Sequence, residues 1–322
     1  MRDSTPGLGA DEMTVRTQAR SVSRSSRVAG TETWRRWGGI AFALFLLAVF
    51  TRPLLSMFRS SATSELNSYT LLIPFVSAYL LYIRRDQLPK RYATDVPFGV
   101  LFLAAGLGIL AFTWLLDIRG PVLAHNERMS LSALSFLFCL VSGGFFFLGR
   151  AWMRAAAFPL AYLIFMLPLP EPVADALEQA SATASADMAN LLFHLSGTPF
   201  LREGQIFQLP NITLEVAQEC SGIRSSLVLF ITSVLAANLF LKTTWRRLAL
   251  VAIVIPLGIL RNGFRILVIG LLCVHVGPQM IHSLIHRRGG PLFFVLSLVP
   301  LLLVLWWLRR GDGQARHLKA ET

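Results

Sequence analysis

Charge is scarce in this chain. Of its 322 residues only 15% are Asp, Glu, Lys or Arg, while 54% are hydrophobic, and soluble domains carry about 25% charged residues. That excludes an ordinary soluble fold. The apolar residues come in blocks of about 20, long enough to cross a hydrocarbon core, so the composition is that of a polytopic membrane protein. Cysteine is scarcer still: Cys139, Cys220 and Cys273 are far apart and lack metal-type spacing, which excludes a disulfide framework and a zinc knuckle. An HExxH pattern is missing, and so is any internal repeat, which argues against a metalloprotease and a repeat-built transporter. Carboxylates are outnumbered, 18 against 30 Lys and Arg, for a net charge of +12. In a soluble protein that excess would suggest nucleic acid. Here the cations cluster between apolar blocks, as orientation signals do, so the expected partner is the lipid bilayer and not nucleic acid.

What is present falls into a regular order. Residues 1–37 are polar, with Ser21, Ser23, Ser25 and Ser26 among many arginines, and read as a flexible cytoplasmic tail without a signal-peptide cleavage site. Apolar segments follow at about 39–58, 66–83, 98–116, 130–148, 155–170, 221–241, 248–275 and 291–308. The expected fold is therefore all-α, with about eight transmembrane helices in a membrane-embedded domain over 38–310 and a short cytoplasmic tail over 311–322. Arg84-Arg85, Lys90-Arg91, Arg150 with Arg154, Lys242 with Arg246-Arg247, and Arg309-Arg310 alternate onto one side. With the N-terminal tail and with Arg316 and Lys319 of the C-terminal tail, 20 of the 30 Lys and Arg lie there, which predicts that both termini are cytoplasmic. The connection over 171–219 is outside and acidic, with Arg202 as its one Lys or Arg. Val173, Leu177, Ala180, Ala184, Met188, Leu191, Leu192 and Leu195 recur near helical spacing and predict an amphipathic helix along the outer surface. Ile212-Thr213-Leu214-Glu215-Val216 alternates, predicting a short hairpin that delivers the chain to Cys220.

The chemistry gathers at Glu215 through Ser226. Cys220 sits where a helix should start and Arg224 stands four residues on, so the helix N-terminus and the guanidinium both favour the thiolate. Cys139 and Cys273 lie inside apolar runs and read as packing residues. Arg261 and Arg265 are i, i+4 partners within the seventh span. Buried guanidinium is costly in a bilayer, so such residues face a partner or a wet cavity. His275, His282 and His286 follow. The last two share a helical face, but no acidic residue accompanies them in that loop, so no metal is expected. A histidine at that height has the right chemistry to exchange protons with a thiol on a neighbouring helix.

Glu219-Cys220-Ser221-Gly222-Ile223-Arg224, then Asn262-Gly263-Phe264-Arg265, then His286 with Gly289-Gly290 and an aromatic-rich last span, resemble the exosortase/archaeosortase family of membrane-embedded transpeptidases. The similarity runs from about Leu66 to the end of the last span and includes Leu167-Pro168-Leu169-Pro170 and Arg202-Glu203-Gly204. The resemblance implies Cys220 as nucleophile, Arg265 as stabiliser of the oxyanion and His286 as proton carrier, with Arg224, Ser221, Glu219, Asn262 and Arg261 in support and no cofactor. It also implies substrates: exported proteins ending in a short motif, a transmembrane helix and a basic cluster, cut at the outer face of the cytoplasmic membrane in connection with exopolysaccharide or surface-protein assembly. The chain departs from the family pattern in Arg287 after the histidine, where an acid is common, in Asn67-Ser68-Tyr69 near the second span, and in the additional Arg261. A competing reading from another class is a transporter or polysaccharide-assembly scaffold in which Arg261 and Arg265 line an anion path.

Overall fold

The computed structural model describes residues 34–35, 37–63, 68–89, 92–118, 120, 123–210, 212–216, 223–277, 279 and 284–320. Glu219, Cys220, Ser221, His282 and most of the basic tail lie outside the described residues. The chain divides into two compact units, one of Met1–Thr63 with Thr70–Pro168 and one of Ser64–Tyr69 with Leu169–Thr322.

The first unit begins with α1 (Trp37–Val49) and α2 (Thr51–Thr63), which meet at a bend of 64°. The bend falls where Arg52-Pro53 interrupts the apolar run, and a proline cannot donate to the preceding turn. Then come α3 (Ile73–Ile83), α4 (Val96–Ile118) and α5 (His125–Phe147). The short α6 (Arg150–Ala155) and α7 (Ala157–Tyr162) follow. Helix α4 starts beside Asp95, whose Oδ1 accepts the Phe98 amide at 3.5 Å.

Helices α4 and α5 form a close pair through small residues. Ser135 and Ser142 on α5 each donate a hydroxyl to α4, to the carbonyls of Gly106 and Gly99 at 2.8 Å. A Cβ on Gly106 would stand 2.8 Å from Cys139 Sγ, and one on Gly99 2.9 Å from the Phe146 ring. Backbones approach this closely only when the interface is small, which is a membrane solution to helix pairing. Cys139 is thereby a packing residue. In the same unit Ser77 on α3 donates to the Pro159 carbonyl of α7 at 2.7 Å.

The second unit contains α8 (Glu171–Ser196), a three-stranded sheet, α9 (Ile223–Phe240), α10 (Thr244–Ala252), α11 (Val254–His275) and α12 (Leu284–Ala320). The sheet is an antiparallel meander of β1 (Leu201–Glu203), β2 (Ile206–Leu209) and β3 (Ile212–Glu215), in the order β1-β2-β3. The alternating sequence predicts a two-stranded hairpin, and the structure adds β1. Gly204, at φ +62, makes the left-handed turn that folds Leu201-Arg202-Glu203 back onto β2. Phe207 pairs with Leu214 and Leu209 with Ile212, so one face of the sheet is apolar.

That face joins Ala182, Ala186, Ala189 and Phe193 of α8 and Ile266, Leu267, Ile269 and Cys273 of α11 in one core. Helix α8 is present, but the stripe it buries against α11 and the sheet is Ala182, Ala186, Ala189 and Phe193, while Val173, Leu177, Leu191 and Leu195 of the expected apolar stripe are exposed. The reason is steric complementarity: a Cβ on Gly263 would stand 2.6 Å from Met188 Cγ, and one on Gly270 2.6 Å from Phe193 Cζ. A second core joins α9, α10, α11 and α12 around Leu229, Leu250 and Leu301. At one end of it Arg246 donates to the Leu308 carbonyl at 3.2 Å. Arg246 also lies over the Trp245 ring at 5.7 Å, and Arg310 over Trp306 at 3.5 Å.

All eight apolar segments contain helix. Among the described residues four helices are long and apolar enough to cross a membrane, or up to six if the two bent pairs each count once. Tyr69–Ile83 and Ser225–Phe240 are apolar but shorter. Bent pairs and short spans explain why eight apolar blocks do not translate into eight full-length crossings.

Candidate functional site

The site is built on α11. It opens with Val254-Ile255-Pro256-Leu257-Gly258, and Gly258 is the residue that lets α9 approach. A Cβ there would stand 2.8 Å from Ser226 Oγ. One turn later Arg261 is buried at 7% exposure, and its Nη2 donates to Ser226 Oγ at 3.1 Å. The buried guanidinium therefore has a partner on the neighbouring helix, as its burial requires. Asn262 is buried at 2%.

Arg265 is half-buried and lines a crevice of about 20 Å³ with Asn262, Ile266 and Ile269 of α11 and with Leu214, Glu215 and Val216 of the β3 edge. That volume suits little more than one water-sized group. The edge is held in place because the Val216 amide donates to the Gln205 carbonyl at 3.0 Å, extending the β2–β3 ladder. Arg261 and Arg265 thus share α11 but have different surroundings: the first is turned to α9, the second to the end of the meander.

Arg224 belongs to the first turn of α9, which begins at Ile223. The sequence places the helix start at Cys220; the described helix begins at Ile223, and Cys220 itself lies outside the described residues. His286 belongs to the first turn of α12, seven residues before Phe293, and Phe293 meets Phe264 of α11 edge-on at 6.4 Å between ring centroids. Arg265 follows Phe264 directly, so α12 passes α11 beside the site and reaches His286 about two turns from that contact. His275 ends α11 with its Nδ1 2.9 Å from the Leu271 carbonyl. Among the described residues no group of three or more His, Cys, Asp or Glu could hold a metal ion.

Sequence reasoning misses two contributors. Ser226 closes the Glu215–Ser226 stretch but carries no signal of its own, because its role depends on an arginine 35 residues away. Gly258 resembles any other helix glycine until α9 is seen against it.

No curated protein and no solved structure is matched by the chain. A family model described as Transmembrane exosortase matches residues 59–303, a range that takes in the cysteine motif, both α11 arginines and His286. The chain is a multi-pass membrane protein, and it belongs to the transmembrane exosortase family, whose members are sorting transpeptidases acting on exported proteins.

Proposed function

We propose that the protein is a cysteine protease and transpeptidase that cleaves C-terminal sorting signals of exported proteins at the outer face of the cytoplasmic membrane. The observation that carries this reading is the crevice shared by Arg265 and the Glu215–Val216 edge. Cys220 follows Val216 by four residues, so the chain holds its Cα within ~14 Å of that edge. The reading has Cys220 as nucleophile, Arg265 as oxyanion donor and His286 as proton carrier.

In this scheme the Cys220 thiolate attacks the scissile carbonyl carbon, and the negative charge that develops on the carbonyl oxygen is met by the Arg265 guanidinium. The C–N bond breaks as His286 protonates the departing amine, leaving a thioester. An acceptor amine or water then gives up a proton to His286, attacks the thioester and releases the thiolate. Glu219, Ser221, Arg224 and Asn262 flank these groups, and the Arg261–Ser226 bond supports the helix that follows the thiol. Burial of Arg261 against Ser226 favours this positioning role over an anion path. Clustered cations support cytoplasmic termini, with residues 1–37 and 311–322 as tails and 38–310 in the membrane. The implied substrates carry a motif, a transmembrane helix and a basic tail, and serve exopolysaccharide or surface-protein assembly.

The test is mass spectrometry of the C-termini of exported proteins in cells with the wild type, Cys220→Ala, Arg265→Ala or His286→Ala. A shared new C-terminus with the wild type, absent from all three variants at equal membrane abundance, is the expected result. Unchanged trimming in Cys220→Ala would sink the assignment.

A further inference from the structure

The meander ends in a strand with one side unused. Among the described residues the sheet order is β1-β2-β3, so β3 has β2 on one side and no strand on the other. The ladder fixes which backbone groups face which way. Phe207 pairs with Leu214, Leu209 with Ile212, and the Val216 amide donates to the Gln205 carbonyl at 3.0 Å. In an antiparallel ladder alternate residues exchange hydrogen bonds with the partner strand, so Ile212, Leu214 and Val216 face β2. Thr213 and Glu215 turn their amides and carbonyls outward, and both residues are exposed. Strand β3 carries neither a proline nor a bulge, two devices that close such edges elsewhere.

The same edge leads to the candidate site. Glu215 and Val216 line the crevice that holds Arg265, and its volume of about 20 Å³ suits a single carbonyl oxygen better than a side chain. Arg265 belongs to a stretch, Thr244–His275, that is long and apolar enough to cross a membrane. A peptide bond must leave helical conformation before its carbonyl is open to attack, because a helix carbonyl is occupied by the amide of the following turn. Beside a membrane span, an extended segment finds little water for its backbone, and every unpaired group is costly. The outward groups of Thr213 and Glu215 supply the partners such a segment lacks, and addition of a strand to a free edge is a recurring mode of peptide recognition.

We infer that the segment to be cleaved binds as a further strand on the outer edge of β3, hydrogen-bonded to the backbone of Thr213 and Glu215, with one of its carbonyl oxygens entering the crevice at Arg265. The inference rests on the transpeptidase reading and states how that site holds its substrate: through the backbone, in a register set by β3.

Two measurements on the full chain in membranes test it, with an exported protein whose C-terminus the wild type trims as the probe. In the first, Thr213→Pro and Glu215→Pro each remove an outward amide and leave the β2 ladder its donors, at positions where an edge strand accepts proline. At equal membrane abundance each is expected to lower kcat/KM for trimming about tenfold, chiefly through KM. The second is disulfide trapping in Cys220→Ala, which keeps the probe uncut, with Thr213→Cys or Glu215→Cys and a cysteine scan along the probe. Opposed residues on paired strands stand close enough to cross-link. The probe positions trapped best by the two cysteines are expected to be next-but-one neighbours close to the cut. Should the proline variants fail to fold, this register decides. Trapping without a preferred position or away from the cut overturns the inference, as does unchanged trimming in both proline variants. A wild type that trims no exported protein removes the transpeptidase reading and this inference with it, whereas Cys220-dependent trimming without the register removes the strand pairing alone.

Discussion

Arg261 on α11 and Ser226 on α9 are joined by a hydrogen bond of 3.1 Å, and Gly258, one turn before the arginine, leaves the space in which the serine sits. The bond ties the helix that follows the cysteine motif to the helix that carries both arginines. Ser226→Ala removes the acceptor while leaving the guanidinium buried, a loss expected at about 1.5–3 kcal/mol for a charged partner. Gly258→Ala presses on the same contact from the other side and is expected to cost about 1–3 kcal/mol. Thermal unfolding in detergent reads both effects. The double variant should cost less than the sum, because the two changes share one contact.

The α8–α11 seam gives a second expectation. A side chain at Gly263 meets Met188 and the Ala189 amide, and one at Gly270 meets the ring of Phe193, which is fully buried. Gly263→Ala and Gly270→Ala should each destabilise the second unit by about 1–3 kcal/mol. Gly108→Ala on α4, where nothing stands within 4 Å of the added carbon, should be neutral or slightly stabilising. Limited proteolysis across the β1–β3 meander would report the seam directly, with cleavage rising in the first two variants and not in the third.

How much of this was legible in the sequence depends on the kind of signal. The apolar blocks, the break at Arg52-Pro53, where the chain bends by 64°, and the prolines Pro168 and Pro170 ahead of α8 are local and could be read directly. Strand β1 could not, because Leu201-Arg202-Glu203 has no alternation and is a strand only through its pairing with β2. Nor could the α8–α11 seam, which is written in Ala182, Ala186 and Ala189 against Gly263 and Gly270. Small residues carry little hydropathy signal and gain their meaning from what approaches them. In the candidate site, burial pressure on Arg261 was readable from its place in an apolar run. Its partner was not, since contact across 35 residues is a tertiary fact. Cys220 and His286 are proposed from their motif pattern alone, whereas the edge that lines the crevice with Arg265 came from the fold.

Arg265 gives a third expectation, resting on its proposed role. Arg265→Ala should lower single-turnover cleavage of a membrane-anchored substrate by about 10²–10³-fold, the usual effect of losing one oxyanion donor. Arg265→Lys should recover only part of this, because a point charge does not reproduce the guanidinium fork. Substrate affinity measured separately should change far less than the rate. Loss of affinity with an unchanged rate would make Arg265 a binding residue.

Thiol reactivity gives a fourth. Cys139 and Cys273 are buried at 2% and 1% exposure, so neither should react with a membrane-impermeant maleimide in the folded protein. Labelling at neutral pH should therefore stop at one thiol per chain and vanish in Cys220→Ala. Labelling of all three at similar rates would remove the physical case for an activated Cys220.

The arginine clamp at the far end of the second unit has an optical consequence. Arg246 fastens α10 to the Leu308 carbonyl, and Trp245, Trp306 and Trp307 around this junction are all more than half exposed, at 58%, 52% and 67%. Indole emission responds to water, and exposed tryptophans seek the boundary between headgroups and acyl chains. The clamp therefore gathers three fluorophores at one depth. Brominated lipids carrying their quencher at graded positions along the acyl chain would turn this junction into a ruler for how deeply the α10–α12 end of the protein sits.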